Sequence, residues 1–525
     1  MLMILNLPSP PQMDVNRDYA GGYGTANLVR RKHYGHTGNT VFPVFMPYLA
    51  TGLRRARYRF TVLDVQAERF DLEQTVSYVK MIEPQFIISM ICLPSIYGDI
   101  RLLNIIKDKL PETTLIGVGT VARVMAQEIL ENSRLDFLID AEYPFYSNAI
   151  VRLVSSLLGD PQRAASELPQ VISKQGSNFE HYTVTSSLRV PDRDGNLDDL
   201  DLEVYCQFPM AKYKLCFSDV SGKVLNYFPI LSSKGCPFDC VYCPYPVGFG
   251  RRISVKSPHK IVEEMEFLHK YFGIRAFVFR DQVFTANSSR VEEICDLISE
   301  RHLCVNWLVE TRADRISRHL LAKMKKAGCN RIHYGVETGD ESMLRRIGKP
   351  GVDKAAMKEA FKNAADEGIY TTAHVILGLP GENKKTTINT YRFLLELNPD
   401  SVNWNIVTPY PGTQLFDLAN NGDLILTYDW EKYNTVEVVM RTEDLSAKDL
   451  QRIARRFSRS FRARKVLRML RLALRSRKCF YFLVSRIVHH VYLALSYHEL
   501  TKKHTPKVGC DTIPSIELSR HGASL

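Results

Sequence analysis

Two alternations of short apolar runs with amphipathic stretches organise the chain. The first runs through MLMILNL (residues 1–7), RFTVLDV (59–65), FIISMI (86–91), TLIGVG (114–119) and DFLID (136–140). Helix-like candidates near 71–81, 99–109 and 122–131 separate the later runs, and this strand–helix rhythm predicts a parallel, doubly wound sheet over residues 1–157. From 158 to 225 the periodicity fades into Asp, Gly, Ser and Pro-rich sequence, including PDRDGNLDDLD (191–201), and reads as a linker. A second alternation follows in NYFPIL (226–231), AFVF (276–279), CVNWLV (304–309), RIHYGV (331–336), TTAHVIL (371–377) and SVNWNIV (401–407). Six strand–helix units over 226–415 suit an open or partial parallel barrel. Ser257-Pro258 marks a helix start, and Gly273, Gly328 and Gly368 mark helix ends. Beyond 415 the strand signals stop, so 416–525 reads as a mostly helical region with a polar tail.

Composition changes this picture little. Of the 525 residues 45% are apolar and 24% charged, the proportions of a folded chain of several domains. Eleven cysteines, three of them within eight residues and the rest scattered, do not form the framework of a secreted disulfide protein, so a cytoplasmic, reducing location is expected. The opening run reads as a first strand rather than a leader. Membrane crossing needs roughly 18 to 20 uninterrupted apolar residues, and the nearest candidate, 480–495, contains Arg486, His489 and His490.

Charge matters more. The net charge of +12 is concentrated at 451–478, which holds twelve Lys or Arg and no acid. With Phe457, Phe461, Leu467, Leu470 and Leu474 between the arginines, this segment suits an anionic membrane surface, a nucleic acid, or a basic solvated face on a docked helix. The adjoining run Phe480-Tyr481-Phe482-Leu483-Val484 points towards peripheral membrane contact and a lipid-like substrate.

The most specific chemistry is Cys236-x-x-x-Cys240-x-x-Cys243, directly after a strand. Three thiolates can hold three irons of a cubane and leave the fourth open to a ligand with an amine and a carboxylate. A zinc site is the alternative, but it normally requires a fourth Cys or His nearby, and residues 244–258 offer neither. Cys295, Cys304 and Cys329 lie in or beside barrel elements and read as small core residues.

On these cysteines the chain resembles the radical S-adenosylmethionine superfamily, in which such a loop follows the first strand of a partial (β/α)6 barrel of the TIM type. The resemblance spans 226–415 and implies a [4Fe–4S] cluster on Cys236, Cys240 and Cys243, with Tyr242 as the aromatic before the last cysteine. It also implies S-adenosylmethionine, cleaved to a 5′-deoxyadenosyl radical. Asp281 would take the methionine ammonium, with Gln282 where a second acid is frequent. Glu310 and Arg312 follow the third strand, Arg312 suiting the methionine carboxylate, although a plain surface ion pair remains the other reading. Tyr334-Gly335-Val336-Glu337-Thr338-Gly339 resembles the fourth-strand segment, with Glu337 towards the ribose; residues 377–382 and 409–413 resemble the fifth and sixth strand ends.

The domain over 1–157 resembles the Rossmann or flavodoxin-like cobalamin-binding domain of one branch of that superfamily. Cobalamin would then lie at the strand ends, near Ser89, Gly117 and Gly119. No Asp-x-His-x-x-Gly string occurs in 1–150, so no histidine of this domain is expected to ligate the cobalt. A related sulfur-inserting branch needs three cysteines there, and this domain has only Cys92. The resemblance implies a cobalamin-dependent methyltransferase acting on an unactivated carbon. The alternatives are a cyclase or oxidative enzyme of tetrapyrrole or lipid maturation and, from another class, an iron–sulfur binding or electron-transfer module. Expected partners are a small-molecule or lipid-like substrate and an external electron donor such as flavodoxin or ferredoxin. Nucleic acid is not expected.

Overall fold

The computed structural model describes residues 1–10, 13–17, 21–28, 39–139, 145–159, 171–173, 196–218, 223–349 and 352–475. Its first sheet comprises β1 (Leu2–Asn6), β2 (Phe60–Asp64), β3 (Phe86–Met90), β4 (Thr114–Val118), β5 (Phe137–Ile139) and β6 (Val171–Ser173), in the order β2-β1-β3-β4-β5-β6. All pairs are parallel except β5 with β6. Apolar runs of this kind form strands buried on both faces, because helices cover the sheet on either side. Phe86, Ile88 and Met90 enter one core with the helix Phe45–Arg55, while Ile87 and Ile91 enter a second with the helix Ile96–Lys109. The order reverses between β1 and β3, which puts the ligand-binding crevice of such sheets at their carboxyl ends.

The second sheet is built from β7 (Phe228–Ile230), β8 (Ala276–Phe279), β9 (Asn306–Thr311), β10 (Cys329–Glu337), β11 (Tyr370–Leu377) and β12 (Ser401–Ile406). They are hydrogen-bonded in chain order, all parallel, and β7 and β12 remain edges, so the barrel is partial. The alternation of side chains fixes an inside and an outside. Phe277, Phe279, Trp307 and Val309 face the helices with Ile261, Met265 and Ile294, whereas Ala276, Val278 and Leu308 face inwards with Leu215 and Tyr227. The α/β class read from the sequence is the one found.

Three expectations change. The segment 158–225 is not simply a linker: the preceding helix reaches Gly159, and 196–218 forms turns whose Leu197, Tyr205, Phe208 and Tyr213 are buried in the main core. The reason is the aromatic content the polar flank conceals, with Phe42 packed edge-on or tilted against Tyr205, Phe208, Tyr213 and Phe228. The helix near 122–131 is two, Thr120–Val124 and Ala126–Asn132. The region after 415 is helical at Gln414–Asn421 and Ala447–Arg475, but 422–446 is mainly irregular, with an isolated bridge between Ile425 and Met440. Residues 480–484 and the polar tail lie outside the described residues. Among the described residues no helix is long and apolar enough to cross a membrane.

Candidate functional site

The three-cysteine loop hangs between a strand and a short helix and is braced on its outer side by the turn after Glu341–Arg346. Gly235 adopts a left-handed conformation (φ 93°), and its N–H donates to Gln282 Oε1 at 2.9 Å. The Val241 N–H donates to the Ile347 carbonyl at 3.2 Å, and the Cys243 N–H to the Cys240 carbonyl at 3.0 Å. Gly348 (φ 68°) sits so close that a Cβ there would lie 2.7 Å from the Asp239 carbonyl oxygen. Burial raises the Cys236 and Cys240 thiols. Burial, followed by the neighbouring Cys240 and Cys236, drives Cys243 well above the ordinary thiol range. Three thiols in one another's field and short of water are unfavourable as thiolates until a cationic centre binds them. Their donor set fits an iron–sulfur cluster with one open iron.

Tyr242 and Glu337 do come together beside the cysteines. Tyr242 is half-buried beside Glu337; loss of water first, then this carboxylate, pushes its phenol well up. Glu337 itself has φ 61°, a left-handed position held at the irregularity where the β10–β11 register shifts. Its Oε1 accepts from Lys349 Nζ at 2.9 Å, and Lys349 also donates to the Gly335 carbonyl at 2.6 Å. Lys349, 4% exposed, was not identified from the sequence; its only signal there was a position after a glycine turn.

Asp281 does not enter this group. It is 1% exposed, and its carboxylate accepts from the Ser232 N–H (2.9 Å), the Ser232 hydroxyl (2.6 Å) and the Ser233 hydroxyl (2.5 Å). It shares the alternation of Phe277 and Phe279, which face outwards. The expected contact with a methionine ammonium is therefore replaced by one that fixes the strand leading into the cysteine loop. Arg312 is ion-paired with Asp314, its Nε and Nη2 each 2.9 Å from the carboxylate, but the pair is buried rather than on the surface. Its guanidinium also stacks on Phe238 of the cysteine loop, 3.8 Å from the ring centroid, and its field reaches Cys236.

Glu310 lies deeper in the lumen, away from Glu337. It faces His333 across β9 and β10, with Nδ1 of His333 3.7 Å from its Oε1. Burial pushes Glu310 up, but His333, Arg280 and His374 outweigh it and hold the carboxyl at about 2. Burial also brings His333 down to about 4. These lumen groups were legible only as alternate positions of the strands. Cys295 and Cys329 are buried, whereas Cys304 is exposed, because it precedes β9 rather than lying in it.

In the first domain Ser89 pairs with Gly117 across β3 and β4, and the Ser89 hydroxyl is buried without a hydrogen-bond partner, which suits a ligand contact. Gly119 has φ 114°, and a side chain there would crowd the Gly21 carbonyl at 2.9 Å, so it fits close backbone approach at the strand end. Gly117 does not fit that role, since its missing Cβ is filled by Leu138 at 2.6 Å. The barrel closes directly on these strand ends. Tyr23 donates to the Pro411 carbonyl at 2.5 Å, Tyr410 to the Gly24 carbonyl at 3.3 Å, and Arg123 to the Val247 carbonyl at 3.2 Å.

A doubly wound domain closed over a three-cysteine partial barrel is the arrangement on which this chain is similar to radical S-adenosylmethionine enzymes that carry a cobalamin-type domain ahead of the barrel. Residues 230–394 match the Radical SAM superfamily model. An uncharacterized methyltransferase of Pyrococcus horikoshii is 27% identical over 438 residues, covering 82% of this chain and 90% of the relative. The anaerobic magnesium-protoporphyrin IX monomethyl ester cyclase of Rubrivivax gelatinosus is 26% identical over 427 residues, 80% of this chain and 73% of that one. Among solved structures, the cobalamin-dependent S-adenosylmethionine radical enzyme OxsB, with aqua-cobalamin and S-adenosylmethionine bound, superposes with a TM-score of 0.63. It covers 94% of this chain and 72% of its own at 13% identity, which is a likeness of fold.

Proposed function

We propose that this protein is a cobalamin-dependent radical S-adenosylmethionine methyltransferase acting on an unactivated carbon of a small or lipid-like molecule. The observation that carries the reading is the closure of the barrel onto the first domain, the helix after the cysteines, Tyr245–Phe249, meeting Arg123 and Thr120, and Tyr410 after β12 meeting Gly24. When bound, the cluster and cobalamin supply electron and methyl-group transfer, chemistry that belongs to the cofactors rather than to side chains. Cys236, Cys240 and Cys243 hold the cluster. Tyr242, Glu337 and Lys349 form the polar wall that suits the ribose, and Arg312 on Phe238 sets the opposite wall near the methionine carboxylate. Ser89 and Gly119 meet the corrinoid, and the buried tyrosines at the seam keep bulk water from the reacting centre. An external donor of flavodoxin or ferredoxin type delivers the electron. The basic helix approaches an anionic membrane surface when the substrate is lipid-like.

The cyclase among the relatives favours a second reading, oxidative ring closure of a tetrapyrrole. Anaerobic reconstitution with cobalamin, dithionite and S-adenosylmethionine, compared with Cys240→Ala, tests both. Methyltransferase activity predicts corrinoid absorbance, 5′-deoxyadenosine from wild type alone, and product heavier by about 14 Da, whereas product lighter by hydrogens indicates cyclisation. A fully cluster-loaded protein that makes no 5′-deoxyadenosine with any substrate class leaves the iron–sulfur binding module standing.

A further inference from the structure

We propose that Glu310, His333 and His374 form a binding site for a divalent transition-metal ion of the zinc class within the barrel lumen. The three residues come from three adjacent strands, with Glu310 beside His333 and His374 beside Gly335 in the register of β9, β10 and β11. One ligand atom from each lies within 4.8 Å of the others, and the two imidazoles are 5.1 Å apart at 42°.

Two imidazoles and one carboxylate are a donor set for zinc or ferrous iron with coordination positions left over, unlike the soft thiolates above them. The second observation is the state of the rings. His333 is 8% exposed, yet neither of its nitrogens has a hydrogen-bond partner, and Nε2 of His374 is likewise buried without one. A core histidine normally satisfies at least one nitrogen, because leaving a buried polar atom unpaired costs roughly 1–3 kcal/mol. One cation would take one nitrogen from each ring together with the Glu310 carboxylate, and so accounts for two of these three unsatisfied nitrogens.

The surroundings set limits on the ion. Arg280 acts on Glu310, and the positive field of Arg331, which is stacked on Tyr370 at 3.9 Å, reaches His333. These charges hold affinity below that of a closed structural zinc site and favour a substrate oxygen or an anion as a further ligand. Glu310, whose side chain is 39% exposed, gives that ligand access from the lumen. Phe217 closes the other side, with its ring 6.0 Å from His333. The assignment uses none of the cysteine-loop residues and does not depend on methyl transfer.

Titrating the full-length, cluster-loaded protein anaerobically with Co²⁺ tests it, because cobalt reports its ligands in the visible spectrum. One Co²⁺ per chain is expected, with weak ligand-field bands, no thiolate charge-transfer band, and displacement by Zn²⁺. His333→Gln, His374→Gln and Glu310→Gln should each weaken binding by roughly tenfold or more, at least the effect of losing an outer-shell partner. The surface variant His259→Ala should bind as wild type. Intact cluster absorbance in the Gln variants shows that the barrel is still folded. A thiolate band, equal affinity in all variants, or no binding at about 1 mM Co²⁺ overturns the proposal.

Discussion

Glu337 shows how one residue's conformation depends on its neighbours' lack of bulk. Its left-handed backbone and its pairing with Lys349 both require Gly335, where a Cβ would stand 2.5 Å from Glu337 Oε1 and 3.1 Å from Lys349 Nζ. Gly335→Ala should therefore disturb the pair by about 1–3 kcal/mol of overpacking and weaken S-adenosylmethionine binding roughly tenfold, with cluster content unchanged. Calorimetric titration of the cluster-loaded variant checks this, and an unaltered dissociation constant would remove Glu337 from the binding wall. A second buried acid makes a pH prediction. Glu382 is fully buried, its carboxylate accepts from the Gly378 N–H at 2.5 Å, and its other oxygen has no partner; burial raises it to about 8. A carboxyl raised in the folded state stabilises while protonated, and that contribution falls as pH rises from the unfolded value near 4 through about 8. Glu382→Gln should melt close to wild type near pH 5 and above it at pH 9. Parallel anaerobic melting curves across that range would refute the assignment.

Strand alternation explains what the sequence made legible and what it hid. The strands, the cysteine loop and the glycine turns stood out because each has a local signature: a period of two, a fixed spacing, or a positive φ. Asp281 was misplaced because proximity to a strand end says nothing about face; the alternation of AFVFRD puts Arg280 inwards and Asp281 outwards, and only the Ser232 and Ser233 contacts settle it. Lys349 was hidden because its partner lies twelve residues back across a bulged strand. The same logic separates two halves of the arginine-rich helix. Its first half is docked: Phe457 is 9% exposed and packs on Tyr391 (4.6 Å) and Trp404 (5.5 Å), while Ser460 bonds Tyr391 at 2.6 Å. Leu467, further along the helix, is 54% exposed. Phe457→Ala should cost about 2–4 kcal/mol of docking, whereas Leu467→Ala should cost almost nothing. Limited trypsin digestion reads this directly, since a released helix offers many arginines; equal cleavage of the two variants would contradict the docking.

At the scale of the molecule, the seam between the domains decides whether two cofactor sites act as one. It is tight: Tyr23 and Tyr410 meet edge to face at 5.1 Å, and Gly412 is placed so that a Cβ would touch Val124 and Val247 at 3.0 and 3.1 Å. The tightest approach is at Gly248, on the helix that follows the cysteines, where any side chain would collide with the Thr120 hydroxyl at the end of β4. Because interiors transmit such a mismatch rather than absorb it, Gly248→Val should push the domains apart while leaving each core intact. The two sites then uncouple in a defined direction. Cluster content and S-adenosylmethionine cleavage, which need only the barrel, should stay within about twofold of wild type, whereas corrinoid retention and methylated product should fall by more than roughly tenfold, the scale set by losing reactant alignment. Measuring 5′-deoxyadenosine and product in one reaction gives the ratio. If both fall together, the seam positions the cysteine loop itself and the barrel is not an independent unit; if neither falls, cobalamin does not act across this seam, and the proposed methyl transfer loses its geometric basis.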